Sequence, residues 1–311
     1  MKVIFFGTGK FGLPTLRKLV ESDHQIVAVV TQPDRKRGRG WNVQPTPVKA
    51  LVEQMSPGVS IFQPEKVSDP GFVDSLKNID ADVFVVVDYG RLLSREILEL
   101  PRKGCVNLHP SLLPRHRGAS PVNRAILSGD KETGNTVIKM AERMDAGRII
   151  MQERTGIGED ENAAGLLERL SRSGADLILK ALEVIEAGKE DLKEQDEKEA
   201  SYAPKLEKKE GEIDWGRPAE EIARKVKGMQ PWPGAFTFLD GRTLKILEAA
   251  VIDVAEKAGV PGAVLGEGEF IVNTGKGALR VDRLQLEGKK VMTSNEFLRG
   301  HRFEKGTVLG A

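Results

Sequence analysis

The fold class is decided by Val83-Phe84-Val85-Val86-Val87, an unbroken apolar run in which four of the five residues are β-branched. A strand that is apolar at consecutive positions is covered on both faces of its sheet, whereas a half-exposed strand alternates. Shorter runs of the same kind occur at Val3–Phe6, Ile26–Val30 and Cys105–Leu108, and Gly12–Ser22 has the apolar spacing of a helix. This strand–helix–strand order with short links predicts parallel crossovers and a doubly wound α/β sheet.

The chain of 311 residues is long enough for about two domains. The α/β pattern continues to a long predicted helix over Ala163–Glu186, so we expect a Rossmann-like doubly wound domain over residues 1–188. A strongly charged stretch then begins, which predicts a linker over residues 189–206. From residue 207 to residue 311, one helix is followed by several short strands separated by Gly-rich turns, which is typical of a small β-barrel.

Composition excludes several classes of protein. The chain has 47 basic and 46 acidic residues and is 40% hydrophobic, which argues against whole-chain disorder and against a basic nucleic-acid coat protein. The single cysteine, Cys105, excludes an internal disulfide and a cysteine-based zinc site, and it favours a cytoplasmic location. There is no apolar run of membrane-spanning length, and no cluster of His and carboxylate residues has metal-ligand spacing, so we expect neither a membrane span nor a metal.

Residues 7–12 match the dinucleotide-binding pattern G-x-G-x-x-G, after a strand and before a helix. That function also needs an acidic residue at the end of the second strand, where this chain has Thr31. The sequence therefore favours a tight strand-to-helix turn over a nicotinamide or flavin site.

Asn107 and His109 stand two residues apart at the carboxyl end of a predicted strand, so their side chains project from the same face. Ligands of open α/β sheets bind at this edge. An amide can donate to a developing oxyanion and an imidazole can move a proton, which suits direct acyl transfer between two bound substrates. The alternative is a histidine that only satisfies a loop backbone.

Asp145 lies in a turn, Met144–Arg148, between two strand-like runs. It can be a turn residue bonded to its own backbone, or a carboxylate that orients the histidine. The sequence alone does not place Asp145 beside His109.

Three motifs together resemble the folate-dependent formyltransferases: Asn107-Leu-His109-Pro-Ser-Leu-Leu-Pro114, Arg117-Gly118-Ala119 and Met144-Asp145-Ala-Gly147. The resemblance implies that Asn107 holds the formyl oxygen, that His109 acts as a donor or proton shuttle, and that Asp145 positions His109 and relays a proton. It also implies 10-formyltetrahydrofolate as co-substrate.

By the same resemblance, two segments line the folate pocket. They are Asp88, Tyr89, Gly90, Arg91 and Leu92, and Ser111, Leu112, Leu113 and Pro114. Asp88 departs from the small apolar residue that is usual in the tRNA-directed members, and a carboxylate there can bond to the amino groups of the pterin or alter folate affinity.

Formyl acceptors in this family include a glycinamide nucleotide, an amino sugar, water, and the amino group of methionyl-tRNA. Four basic residues with flanking glycines resemble the loop that engages a tRNA acceptor stem: Arg35, Lys36, Arg37 and Arg39. Such a run suits phosphate contacts, although charged loops are often merely solvated. Residues 1–60 hold nine basic and four acidic residues, so the near-neutral total hides a local basic patch.

The segments Tyr202–Trp215 and Pro231–Ala235 also resemble the linker and the OB-like β-barrel of the tRNA-directed members. We therefore expect formyl transfer to the α-amino group of initiator methionyl-tRNA by a monomer. The alternatives are a formyltetrahydrofolate hydrolase, a sugar N-formyltransferase, an RNA-binding module without catalysis, and a dinucleotide-dependent dehydrogenase.

Overall fold

A computed structural model describes residues 1–37, 42–252, 259–265, 268–304 and 306–310. The chain divides into two compact units. The first unit comprises Met1–Pro121, Glu132–Gly156 and Leu167–Pro204, and the second comprises Val122–Lys131, Ile157–Leu166 and Lys205–Ala311. Among the described residues, no helix is both long enough and apolar enough to cross a membrane.

The elements up to residue 186 alternate between strands and helices. In chain order they are β1 (Lys2–Gly7), α1 (Leu13–Glu21), β2 (Gln25–Val30), β3 (Arg35–Arg37), β4 (Asn42–Gln44), α2 (Pro47–Met55), β5 (Ser60–Phe62), α3 (Pro70–Lys77), β6 (Val83–Val87), α4 (Arg95–Leu98), β7 (Cys105–His109), α5 (Pro121–Ser128), β8 (Glu132–Lys139), β9 (Arg148–Gly156) and α6 (Ala163–Glu186).

Seven of these strands form one sheet in the order β5-β2-β1-β6-β7-β8-β9. The first five strands are parallel, and β8 and β9 extend the sheet as an antiparallel pair. Every residue of β6 is buried, as its unbroken apolar run requires. The predicted Rossmann-like α/β fold is thus confirmed.

The strand order reverses between β1 and β6. From β1 the chain builds outward through β2 to β5, and it then returns to place β6 and β7 on the other side of β1. In open α/β sheets such a switch point leaves a crevice at the carboxyl ends of the strands, where ligands bind. The loops that follow β1, β6 and β7 all start at this edge.

Local sequence explains where the helices start. α2 begins after Thr46, whose hydroxyl accepts a hydrogen bond from the Lys49 backbone N–H, and α3 begins after Asp69, whose carboxylate accepts one from Phe72. Each of these helices has proline in its first turn, where no backbone N–H is needed. α6 begins and ends where its apolar spacing predicts.

The second unit is dominated by antiparallel strands. After residue 200 the elements are α7 (Ala219–Gly228), β10 (Ala235–Leu239), β11 (Arg242–Ile252), β12 (Val264–Leu265), β13 (Ile271–Asn273), β14 (Ala278–Leu286), β15 (Met292–Thr293) and α8 (Ser294–Gly300). The sheet order is β10-β11-β14-β13-β12, with β15 paired to β14. Its core includes Trp215, Leu244, Phe270 and Leu279. This sheet is consistent with the small OB-like β-barrel that the short strands predict.

Among the described residues, the sequence interpretation missed five short elements: the strands β3 and β4, which form a hairpin, the helices α5 and α8, and the strand β15. Segments of two to eight residues carry too few residues for a period of 2 or 3.6 to stand out. The hairpin matters most, because it structures part of the basic segment that the sequence indicated to be a loop.

Candidate active site at the carboxyl edge of the sheet

Asn107 and His109 lie at the carboxyl end of β7, where they pair with Ile138 and Thr136 of β8. Their shared face is what the two-residue spacing predicts. His109 is buried and Asn107 is half-buried. Among the described residues, no group hydrogen-bonds the Asn107 carboxamide, so its N–H donors are available to a substrate oxygen.

The ring of His109 is held by two protein groups. Its Nε2 lies 2.9 Å from the backbone carbonyl oxygen of His116, and its Nδ1 lies 3.6 Å from Asp145 Oδ2. A carbonyl can only accept, so Nε2 carries the proton in the neutral ring. Nδ1 then has the free lone pair and can accept a proton, and it faces the carboxylate.

Asp145 is brought to His109 by the turn between β8 and β9. Its backbone has φ +51°, a left-handed conformation that aspartate tolerates better than most residues. Its Oδ2 accepts a hydrogen bond of 2.8 Å from the backbone N–H of Gly118. The structure therefore unites His109 with Asp145 across 36 residues, which the sequence left open.

The loop that follows β7 is fixed from β8 and β9. The backbone N–H of Leu113 donates to Thr136 Oγ1 at 3.1 Å, and Gln152 Nε2 donates to the Leu113 carbonyl at 2.7 Å. Ser111 is fully buried and its hydroxyl donates to the Arg115 carbonyl. Leu113 is also buried, whereas Leu112 and Pro114 are half-buried. The predicted folate loop is thus a rigid wall beside Asn107.

The loop that follows β6 stands next to it, because Val86 pairs with Asn107 in the parallel register. Asp88 opens this loop with φ +53°, and its carbonyl accepts hydrogen bonds from Thr8 and Gly9. Protein atoms crowd its carboxyl on most sides, and this desolvation raises the pKa of Asp88 to about 6, although the residue as a whole remains exposed. Asp88 therefore presents a carboxyl at the switch point between β1 and β6.

The G-x-G-x-x-G segment has a specific role beside this carboxyl. A Cβ on Gly9 would lie 1.9 Å from Asp88 Oδ2, so a larger residue at this position would force the carboxyl to move. The acidic residue that a dinucleotide site requires is absent from the end of β2, where the Thr31 hydroxyl instead bonds that of Thr46. The motif forms a tight turn between β1 and α1, and Gly9 in this turn packs against Asp88.

The other residues of the β6 loop have different surroundings. Tyr89 is buried with its ring edge-on to Phe6, and burial raises its pKa to about 12. The Tyr89 side chain is therefore part of the core. A Cβ on Gly90, which has φ +78°, would approach Gln32 Nε2 at 2.9 Å. Arg91 donates to the carbonyls of Pro64 and Glu65, and the Leu92 side chain is exposed.

The predicted basic segment lies partly on the hairpin β3–β4. Arg35 and Lys36 are exposed, the backbone of Arg37 pairs with Asn42, and Arg39 lies outside the described residues. The base of the hairpin is anchored by an ion pair of 2.6 Å between Lys49 Nζ and Asp34 Oδ2. The Lys49 ammonium holds the pKa of Asp34 below its ordinary value, mainly by this hydrogen bond.

Two residues to which the sequence assigned no role also support the site, Gln195 outside the motifs and Arg117 within the second of them. Gln195 is buried and its amide bonds the turn of Asp145, and Arg117, the largest fully buried side chain, bonds Gln195 in turn. Gln195 lies in the charged stretch that the sequence assigns to a linker, where no periodicity distinguishes it. Among the described residues, no group of three or more His, Cys, Asp or Glu side chains could hold a metal ion.

Family models match both parts of the chain. The model described as formyl transferase matches residues 1–182, and the model described as formyl transferase, C-terminal domain, matches residues 205–302. The chain belongs to the formyl transferase family. The predicted family is confirmed, and the cluster of Asn107, His109 and Asp145 falls within the first matched segment.

Relatives of this formyltransferase extend over its whole length. A protein of Geobacter sulfurreducens named methionyl-tRNA formyltransferase is 43% identical over 100% of this chain and 97% of its own length. One of Lachnospira eligens with the same name is 43% identical and is covered completely, as is this chain. A solved N-formyltransferase from Helicobacter canadensis, in complex with folinic acid and dTDP-3-aminofucose, has a TM-score of 0.69, 15% identity, and coverage of 90% of this chain and 98% of its own. At that identity it shows a common fold alone.

Proposed function

We propose that this formyltransferase transfers the formyl group of 10-formyltetrahydrofolate to the α-amino group of initiator methionyl-tRNA. The observation that carries the choice of acceptor is the identity of 43% with methionyl-tRNA formyltransferases over the complete chain, including its second unit. A sugar N-formyltransferase and a formyltetrahydrofolate hydrolase are the competing activities, and neither is favoured by these relatives.

The chemistry assigned to the site follows from its donors and acceptors. The Asn107 amide donates to the formyl oxygen as negative charge develops there. The unprotonated amine attacks the formyl carbon, the bond from that carbon to the folate nitrogen breaks, and the amine proton must be removed. Asp145 and His109 Nδ1, 3.6 Å apart, take this proton and deliver it to the departing folate nitrogen, so that tetrahydrofolate leaves as a neutral amine. The Nε2 bond to the His116 carbonyl keeps the ring aimed.

We assign folate to the carboxyl edge of the sheet, between the β6 and β7 loops. A pterin carries several N–H donors, and a carboxyl at the switch point can accept from them, a role that we assign to Asp88. The backbone of Tyr89, Gly90, Arg91 and Leu92 forms one wall, and Ser111, Leu112, Leu113 and Pro114 form the other. When bound, the folate supplies the activated formyl group, and the chain supplies orientation, hydrogen bonds and proton transfer.

The tRNA contacts are assigned to the basic hairpin and to the second part of the chain. Arg35, Lys36, Arg37 and Arg39 would neutralise phosphates of the acceptor stem. On this proposal residues 1–188 catalyse, residues 189–206 connect, and residues 207–311 bind tRNA. We further propose that the protein acts as a monomer in the cytoplasm, during translation initiation.

The test is an in vitro assay with charged initiator tRNA and 10-formyltetrahydrofolate, read out as formylmethionine. A parallel reaction replaces the tRNA with a nucleotide-linked amino sugar, and a third contains folate alone. Formylmethionine in the first reaction supports the proposal. Folate turnover without tRNA, or transfer only to the sugar, would reject it in favour of the hydrolase or the sugar enzyme.

Single substitutions test the assigned residues. Asn107→Ala, His109→Ala and Asp145→Ala should each lower kcat by about 10² or more, as the loss of one catalytic group typically does. Arg35→Ala together with Lys36→Ala should weaken tRNA binding and reduce its dependence on salt concentration, with folate binding unchanged. Near-normal turnover in all three alanine variants would contradict the site, and an unchanged salt slope would contradict the tRNA contact.

A further inference from the structure

The turn that carries Asp145 is held by a buried amide from another part of the first unit. Gln195 Nε2 donates to the backbone carbonyls of Asp145 and Gly147, in both cases at 2.7 Å. These are the residues on either side of Ala146, so one amide spans the turn. An amide nitrogen has only two donors, and both are used.

The orientation of that amide is set by Arg117. Gln195 Oε1 accepts from Arg117 Nε at 3.0 Å and from Arg117 Nη2 at 2.8 Å. If the amide were flipped, its nitrogen would face the guanidinium and its oxygen would face two carbonyls. Because a guanidinium only donates and a carbonyl only accepts, a single orientation of the Gln195 amide satisfies the guanidinium and both carbonyls.

Arg117 is itself fixed and neutralised. Its side chain is 1% exposed, and its remaining donors reach Glu197, with Nη2 2.9 Å from Oε1 and Nη1 3.2 Å from Oε2. The guanidinium also lowers the pKa of Glu197, so this partner is ionised at neutral pH. A buried guanidinium needs such partners, since an unpaired one would be strongly destabilising.

The same segment reaches the Asp145 carboxylate from its other side. The backbone of Arg117 pairs with Ser201 and Ala203, and the next residue, Gly118, donates its N–H to Asp145 Oδ2 at 2.8 Å. Gly118 has φ +123°, and a Cβ there would lie 2.7 Å from the Ala203 carbonyl oxygen. Both the backbone and the carboxylate of Asp145 are therefore located by residues 117–118 and 195–203.

We propose that Gln195 is a positioning residue for Asp145, and that Arg117 orients Gln195 for this role. This inference rests on the catalytic role proposed for Asp145. It assigns to the stretch between α6 and the second unit a direct part in the active site, in addition to joining two parts of the chain.

Gln195→Met and Gln195→Glu test the proposal. Both keep the side-chain length, and both remove the two donors to the turn. We expect kcat to fall by about 10- to 100-fold in each, as small misplacements of a catalytic group do, with KM for folate and for methionyl-tRNA changed by less than about threefold. In the background of Asp145→Ala, Gln195→Met should cause no further loss of kcat.

Asn135→Leu is the matched control. Asn135 is buried in β8 and donates to the Leu170 carbonyl at 2.9 Å, so its replacement also removes a buried amide but leaves the Asp145 turn intact. It should lower the melting temperature while kcat stays near the wild-type value. Wild-type kcat in Gln195→Met, or an additional loss in the Asp145→Ala background, would overturn the positioning role.

A second readout does not depend on catalysis. The amide proton of Gly118 bonds the Asp145 carboxylate, so its NMR resonance should move upfield in Gln195→Met, in the same direction as expected for Asp145→Ala, and stay unchanged in Asn135→Leu. An unmoved Gly118 resonance in Gln195→Met would refute the inference. Failure of the wild-type protein to formylate methionyl-tRNA would instead refute the proposed function, and the Gly118 resonance would still decide the positioning.

Discussion

We expect Gly9→Ala to damage the folate site through Asp88. Gly9 has φ −86° and ψ −178°, which alanine adopts without strain, so backbone conformation is not the obstacle. The obstacle is space, because the new Cβ would lie 1.9 Å from Asp88 Oδ2, where real Cβ atoms keep at least 3.0 Å. The carboxyl must therefore move by about 1.1 Å or more.

Two costs follow from that movement. Moving the exposed Asp88 side chain off its rotamer costs about 0.5–1.5 kcal/mol, and the hydrogen bond from the Phe11 backbone N–H to the Asp88 carboxyl is weakened or lost. At this chain length each kcal/mol lowers the melting temperature by about 2–4 °C. If Asp88 accepts from the pterin as proposed, displacing its carboxylate should also weaken folate binding by about tenfold.

The assays are thermal unfolding and calorimetric titration with 5-formyltetrahydrofolate, a stable probe of the folate site. Gly165→Ala is the control, since the nearest atom to a Cβ at that helical position is 3.7 Å away, and it should be neutral or stabilising by up to about 1 kcal/mol. In the background of Asp88→Ala, Gly9→Ala should cost little. Unchanged stability and folate affinity in Gly9→Ala, or an equal loss when Asp88 is absent, would refute the reasoning.

Three further predictions concern other interactions. Because the folded-state pKa of Asp88 is raised to about 6, the protonated carboxyl favours folding at acidic pH, and this stability is lost as the pH rises through 6. In urea unfolding, Asp88→Asn should therefore have the same free energy of unfolding as the wild type near pH 4. At pH 8 it should be more stable than the wild type by at most about 1 kcal/mol, because solvent screens the charge. Equal stabilities at pH 8 would contradict the raised pKa. Lys49 and Asp34 anchor the basic hairpin, so Lys49→Met should lower the free energy of unfolding by about 1–2 kcal/mol at pH 7. It should also weaken tRNA binding in filter assays and leave folate titrations unchanged. Binding of tRNA as tight as in the wild type would show that the tRNA contact does not depend on this ion pair. Trp215→Phe removes the buried bond of 3.0 Å to Thr237 Oγ1 and should cost about 1–3 kcal/mol in denaturant unfolding, and a loss no larger than that of an exposed substitution would contradict this.

Local patterns were sufficient for most of the fold. β6 and α6 begin and end where composition and period predict, because β6 has a continuous apolar run and α6 has a long amphipathic face. Turn and cap residues added further signals, such as the prolines that start α2 and α3. The hairpin β3–β4 escaped prediction because three-residue strands made of exposed basic and polar residues have no apolar pattern.

Half of the candidate site could be predicted from spacing. Asn107 and His109 share a face because a strand alternates, and that relation is local. The approach of Asp145 to His109 depends on how β8 and β9 pair with β7, which is long-range. Gln195 could not be predicted, since the environment that makes it a buried donor comes from Arg117 and from the turn at Asp145, both distant in the chain.

By itself the sequence determined the α/β class of the first half, the β-rich second half, the family resemblance, and the pair Asn107 and His109. Each of these depends on neighbours within a few residues, where the periods of helices and strands apply. Only the tertiary structure decided that Asp145 faces His109 Nδ1, that Gly9 makes room for Asp88, and that Gln195 bonds the turn of Asp145. The physical reason is that hydrogen-bond partners and close packing are set by the strand order and loop paths of the folded chain, which bring together residues that no local pattern connects.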